Sequence, residues 1–156
     1  MAYKIDKSEL KRVSQQLRKL PGYEYGIHED HPVWTDDEGT PRDADVVEVA
    51  YAHEYGIGQE YRPFISRTAD YLTAHYADHV EDYIRAINTK GKAARFHELA
   101  LGQRMRSEGM DYIESRRIKL APNDAVYAAS KGGLPPMIDT GNMVRMLDAR
   151  PIKRGR

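Results

Sequence analysis

Residues 45–88, DVVEVAYAHEYGIGQEYRPFISRTADYLTAHYADHVEDYIRAIN, decide how this chain folds. Asp45 stands where a helix N-cap is needed, and Val46, Val49, Ala50 and His53 then recur at i, i+3, i+4 and i+7. That spacing predicts a short helix over 46–55, closed by Gly56 and Gly58. Arg62-Pro63-Phe64 opens the next element, since a proline in the first helical turn gives up no N–H the helix would use. From Phe64 through Thr68, Tyr71, Leu72, His75, Tyr76, His79, Val80, Tyr83, Ile84 and Ile87 one face continues for six turns. A single long helix over 63–88 is expected.

Upstream, Asp6 with Glu9 three residues on forms a capping-box pattern, and Leu10, Val13, Leu17 and Leu20 share one face. A helix over 6–20 is expected, stopped by Pro21-Gly22. Tyr23 to His28 alternates like a strand, and 29–44 reads as a long acidic loop or hairpin with a short strand near Val33-Trp34. Downstream, 93–119 is helical in propensity, with Phe96, Leu99, Ala100, Gln103, Met110 and Ile113 as the expected buried stripe. Gly102 and Gly109 weaken it by about 1 kcal/mol each relative to alanine, and a bend is expected there. Residues 124–130 supply one or two helical turns, 131–136 an exposed loop, 141–147 a last short helix and 148–153 a closing strand. The expected class is α+β: one helix-rich domain, 1–149, with two long helices, short helices and a small antiparallel sheet, followed by a basic tail, 150–156.

The chain has 156 residues, 40% hydrophobic and 31% charged, which suits one soluble domain. Its apolar runs are too short for a membrane span, and Met-Ala-Tyr-Lys lacks the apolar run of a secretory signal, so a cytosolic protein is expected. It has no cysteine, which excludes disulfides, thiol catalysis and cysteine-ligated zinc. Formal net charge is zero, but residues 21–60 hold eleven acids against one base, Arg42. An acidic surface facing a basic one, within the chain or between copies, is the reading this segregation suggests. Eleven tyrosines against two phenylalanines point toward surfaces that are wet in one state and covered in another.

Enzyme motifs are scarce. No Gly-x-Ser-x-Gly, P-loop or dinucleotide fingerprint occurs. Asp36-Asp37-Glu38-Gly39 lacks the alternating oxygens of a calcium loop, and His28-Glu29-Asp30-His31 reads as a hydrophilic turn. His75 and His79, four apart on one helix, can in principle face one metal ion, with Asp78 and Asp82 nearby. They give an alternative reading as a small metal-dependent hydrolase or nuclease. The basic tail, Arg150, Lys153, Arg154 and Arg156, is a candidate contact for DNA or a partner.

Three stretches in order carry a resemblance. These are Val49-Ala50-Tyr51-Ala52-His53-Glu54-Tyr55-Gly56, then Arg62-Pro63-Phe64, then Pro136-Met137-Ile138-Asp139-Thr140-Gly141-Asn142-Met143. Together, over about 45–148, they resemble the tail-completion or head–tail connector (neck) proteins of tailed bacteriophages, a virion-morphogenesis group. There a short helix ends in Glu-Phe-Gly, Arg-Pro-Phe opens a long helix, and an Asp-Thr-Gly precedes a final helix and strand. Here Tyr55 stands for the phenylalanine, Arg145-Met146 for a position often small, and the acidic loop 29–44 is longer. In physical terms Gly56 allows a left-handed turn, Arg62 is placed to pair with a carboxylate, Phe64 anchors a helix, and Asp139 or Thr140 caps the last helix before Gly141.

The resemblance implies a virion structural protein with no cofactor and no catalytic residue. It implies a ring of six- or twelve-fold order between head and tail, contacting portal, connector or tail-terminator proteins and no membrane. A ring needs the front of one subunit to meet the back of the next. Asp36, Asp37 and Glu38 are the candidate interface on the acidic side, and the basic tail is the candidate contact with DNA in the channel.

Overall fold

A computed structural model describes residues 22–28, 30–35, 38–42, 44–90, 94–130, 132 and 142–152. The fold is α+β. Strand β1 (Tyr23–Ile27) is followed by helices α1 (Val46–Tyr55), α2 (Phe64–Ala74), α3 (Tyr76–Lys90), α4 (Ala94–Glu114), α5 (Ala125–Ser130) and α6 (Asn142–Arg145), then strand β2 (Leu147–Pro151). The strands pair antiparallel, Tyr23 opposite Pro151 and Ile27 opposite Leu147, so the two ends of the described chain meet in one ribbon. The helix expected over 6–20 lies outside the described residues.

Helix α4 lies across this ribbon. The close approach is possible because two of its positions carry no side chain. A Cβ on Gly102 would stand 2.6 Å from the Ala149 carbonyl oxygen, and one on Gly109 would stand 2.5 Å from the Tyr25 hydroxyl. The glycines therefore belong to the buried face, with Leu101, Met105 and Ile113. The expected stripe is corrected accordingly: Leu99, Ala100 and Gln103 are exposed. No break occurs at either glycine, and the helix runs uninterrupted from 94 to 114. Contact with the sheet outweighs the local propensity cost.

The core forms two clusters on either side of Tyr25. In one, Ala50 of α1, Phe64 of α2, Ile113 of α4, Ile118, Val144 of α6 and Leu147 of β2 are buried together. In the other, Leu72, Tyr83, Leu101, Met105 and Ala149 pack α2, α3, α4 and β2. Burial raises the Tyr25 hydroxyl above the ordinary tyrosine range, and it has no hydrogen-bond partner among the described residues.

The helix expected over 63–88 is two helices. His75 interrupts it, with φ −99° and ψ 4°. Its ring Nδ1 donates to the Tyr71 carbonyl at 2.8 Å, the oxygen that its own N–H approaches only at 3.3 Å. A side chain competing for an i−4 carbonyl loosens the ladder there, and the Thr73 hydroxyl does the same to Ala69. The inward face is nevertheless kept, since Phe64, Thr68, Leu72, His79 and Tyr83 are all buried.

Among its described residues the loop after β1 forms no strand. Thr35 and Pro41 form an isolated bridge, the Arg42 N–H donates to the Trp34 carbonyl at 2.9 Å, and the Arg42 guanidinium lies 4.9 Å from the Trp34 ring centre. The sole base of residues 21–60 is thus spent inside its own loop. At the other end β2 includes Arg150 and Pro151, so these two residues belong to the sheet.

The glycine contact gives a direct test. Gly102→Ala should destabilise the protein by about 1–3 kcal/mol in chemical denaturation, although alanine favours helix. Tyr25→Phe should leave stability unchanged or raise it, because it removes a buried hydroxyl without a partner. A stabilised Gly102→Ala variant would contradict the packing described.

Candidate functional site

The turn joining α1 to α2 brings together the first two stretches of the resemblance. Asp45 caps α1 through its carboxylate, which accepts from the Val47 N–H at 2.7 Å. At the far end Gly56 has φ 68°, and the N–H groups of Gly56 and Ile57 both reach the Ala52 carbonyl, closing the helix. A side chain at 56 would be strained by that φ and would stand 3.2 Å from the Tyr61 Cβ.

Glu54 has a role that its spacing did not disclose. Its two carboxylate oxygens accept from the Ile65 N–H at 2.9 Å and the Ser66 N–H at 3.1 Å. It therefore caps α2 from the end of α1, where Pro63 supplies no side-chain cap. Pro63 stands one residue before the helix rather than within its first turn. Phe64 is fully buried, as expected.

Among the described residues Arg62 pairs with no carboxylate. Its Nε donates to the Ala121 carbonyl at 3.0 Å and its Nη2 to the Pro122 carbonyl at 2.9 Å, tying the turn to the segment after α4. The backbone N–H of Arg62 also reaches the His53 carbonyl at 2.8 Å. Glu54, Gly56, Arg62 and Phe64 thus lock one corner through backbone groups.

That corner presents an apolar surface. Val47, Tyr51 and Tyr55 recur every fourth residue on the side of α1 away from the buried Val46 and Ala50. Tyr51 is 55% and Tyr55 62% exposed, with ring centres 4.5 Å apart. Ile57 and Tyr61 extend the surface through the turn. The sequence reading followed the stripe at 46, 49, 50 and 53 and passed over this second one, whose signal was the four-residue repeat itself.

His75 and His79 occupy different settings. His75 is engaged with the Tyr71 carbonyl, whereas His79 is 2% exposed and its Nε2 lies 3.0 Å from Glu108 Oε2. This is ion-pair distance without hydrogen-bond alignment, and the ring gains no hydrogen-bond partner among the described residues. The other oxygen of Glu108 accepts from the Tyr71 hydroxyl at 3.0 Å. That hydroxyl in turn accepts from Arg117, which also binds Asp111 at 2.5 Å. Asp82 is held by Arg104, which keeps its carboxyl below the usual range. Among the described residues no three histidine or carboxylate side chains converge as a metal-holding set.

Several candidates are dispersed or lie elsewhere. Asp139, Thr140, Gly141, Asp36, Asp37, Lys153, Arg154 and Arg156 lie outside the described residues, and Glu38 is exposed. Arg150 is not part of a tail. It sits in β2, where its Nε donates to Asp148 at 2.9 Å and its Nη1 to Asp30. Both carboxylates hold its guanidinium above its ordinary range, Asp148 more strongly. Acid therefore meets base within the chain at Asp30 and Arg150.

Two predictions follow from the corner itself. Glu54→Ala should cost about 1 kcal/mol in chemical denaturation through loss of the α2 cap, and an unchanged midpoint would contradict that role. Burial, with Arg62 adding to it, lowers the His53 pKa from 6.5. The unfolded chain then takes up the proton first, so this contribution to stability is full above 6.5 and lost as the pH falls below it. His53→Gln should flatten that part of the stability profile, and an identical profile would contradict the assignment. Compared with protein-family models, curated proteins and solved structures, the chain matches none.

Proposed function

We propose that the chain is a non-enzymatic structural protein of a tailed-phage neck, assembling as a ring that helps join head to tail within the virion. The observation that carries this reading is the α1–α2 corner. Glu54 and Gly56, with Arg62 and Phe64, are the residues of the resemblance, and each performs a structural task there. Motif residues engaged with backbone and core are what a fold and assembly signature requires, and the outward face they hold in place is aromatic. Segregated charge in a neutral chain suits front-to-back repetition of one subunit. No helix among the described residues is long and apolar enough to cross a membrane. In this proposal the neighbours are portal, connector or tail-terminator proteins, and Lys153, Arg154 and Arg156 face DNA in the channel. Arg150 is left to the sheet.

Native mass spectrometry across a concentration range, with and without chelator, tests the reading. The expected result is a discrete ring species of six- or twelve-fold order that chelator leaves unchanged. A monomer carrying one stoichiometric metal ion would favour the hydrolase reading on His75 and His79. A metal-free monomer at every concentration would contradict self-assembly into a ring.

A further inference from the structure

Five of the nine exposed large hydrophobic residues among those described fall between positions 47 and 61. They do not form a loose surface. Val47, Tyr51 and Tyr55 share one face of α1, and Ile57 and Tyr61 lie on the turn fixed by Gly56 and by the bonds of Arg62. Such a surface is ordered before anything docks on it, so covering it costs little conformational entropy. Its charge is one-sided: Glu48 adjoins Val47 on α1, Glu60 precedes Tyr61, and both are exposed. Glu54, the remaining carboxylate of this stretch, is already engaged in capping α2.

The opposite charge is available on the same molecule. Arg116, Lys119 and Arg145 are exposed and have no carboxylate partner among the described residues. They adjoin Ile118 and Val144 in the chain, and those two residues are buried in one cluster, so the turn after α4 and helix α6 meet there. Three other arginines of the chain, Arg62, Arg67 and Arg106, are instead engaged with backbone carbonyls.

We propose that the Val47–Tyr51–Tyr55 stripe, with Ile57 and Tyr61, is the surface by which one copy of this chain docks on the Arg116–Lys119–Arg145 face of the next. The occupant is a second copy because the two faces complement each other in charge and the chain as a whole is neutral. Repeated front to back, each acidic rim meets a basic face and no subunit in a closed ring is left unpaired. This inference rests on the ring reading and assigns its interface to α1, where the sequence pointed to Asp36, Asp37 and Glu38.

Sedimentation velocity on the full-length protein, at about 50 mM and about 500 mM salt, provides the test. Tyr51→Glu combined with Tyr55→Glu should weaken association at least about tenfold while leaving the melting temperature unchanged, and high salt should weaken the wild type. Two charge-reversed chains give the stricter arm. Glu48→Lys with Glu60→Lys, and separately Lys119→Glu with Arg145→Glu, should each self-associate poorly. An equimolar mixture of the two should restore assembly, because each reversed face then finds its opposite. If the wild type associates and the tyrosine variant does so equally well, this surface is wrong and the ring reading stands. If the mixture stays dissociated, the charge pairing is overturned. A wild type that remains monomeric at all concentrations overturns the ring reading and this interface with it.

Discussion

The whole arrangement depends on one close approach, that of α4 to the two-stranded ribbon. Gly102 lets the helix backbone come up to the Ala149 carbonyl, and Gly109, two turns on, lets it pass over Tyr25. With α4 so placed, Leu101 and Met105 meet Leu72 and Tyr83 on one side, and Ile113 meets Phe64 and Leu147 on the other. The α1–α2 corner is attached to this slab through Phe64 and Ala50, and to the segment after α4 through Arg62. Side-chain volume at 102 or 109 would push the helix outward and separate the two clusters.

Arginine acts as a fastener of backbone in this protein. Arg62 holds the carbonyls of Ala121 and Pro122, Arg67 that of Lys119, and Arg106 those of Leu147 and Arg145. These segments are short or irregular, so many of their carbonyls have no partner in a helix or sheet, and a guanidinium satisfies two at once. The carboxylates are used in the same way: Asp45 and Glu54 cap α1 and α2. Charge is thereby partly consumed locally, and Glu48, Glu60, Arg116, Lys119 and Arg145 are among the exposed charges that have no ion-pair partner among the described residues.

Much of this fold was legible because it is written in periodicity and caps. The helix over 46–55 was marked by Asp45 and Gly56, and the buried face from Phe64 to Tyr83 by its spacing. The interruption at His75 was not legible, since no glycine or proline announces it and its agent is a side-chain bond to the Tyr71 carbonyl. The glycines of α4 were read by propensity as weak points, when Gly102 faces Ala149 in the last strand and Gly109 faces Tyr25 in the first, both remote in sequence. Arg62 was placed with a carboxylate by charge alone, whereas its partners are carbonyls sixty residues away, which no local pattern encodes. The Tyr51–Tyr55 stripe was visible in the spacing, but only the fold shows that it faces outward.

Hydroxyl-radical footprinting of the tyrosines, in dilute and in concentrated protein, distinguishes a covered α1 face from a solvated one. Tyr51, Tyr55 and Tyr61 should be modified readily when dilute and become protected together on concentration, while the buried Tyr83 stays unreactive in both. Equal modification of the three exposed tyrosines at every concentration would contradict a covered face.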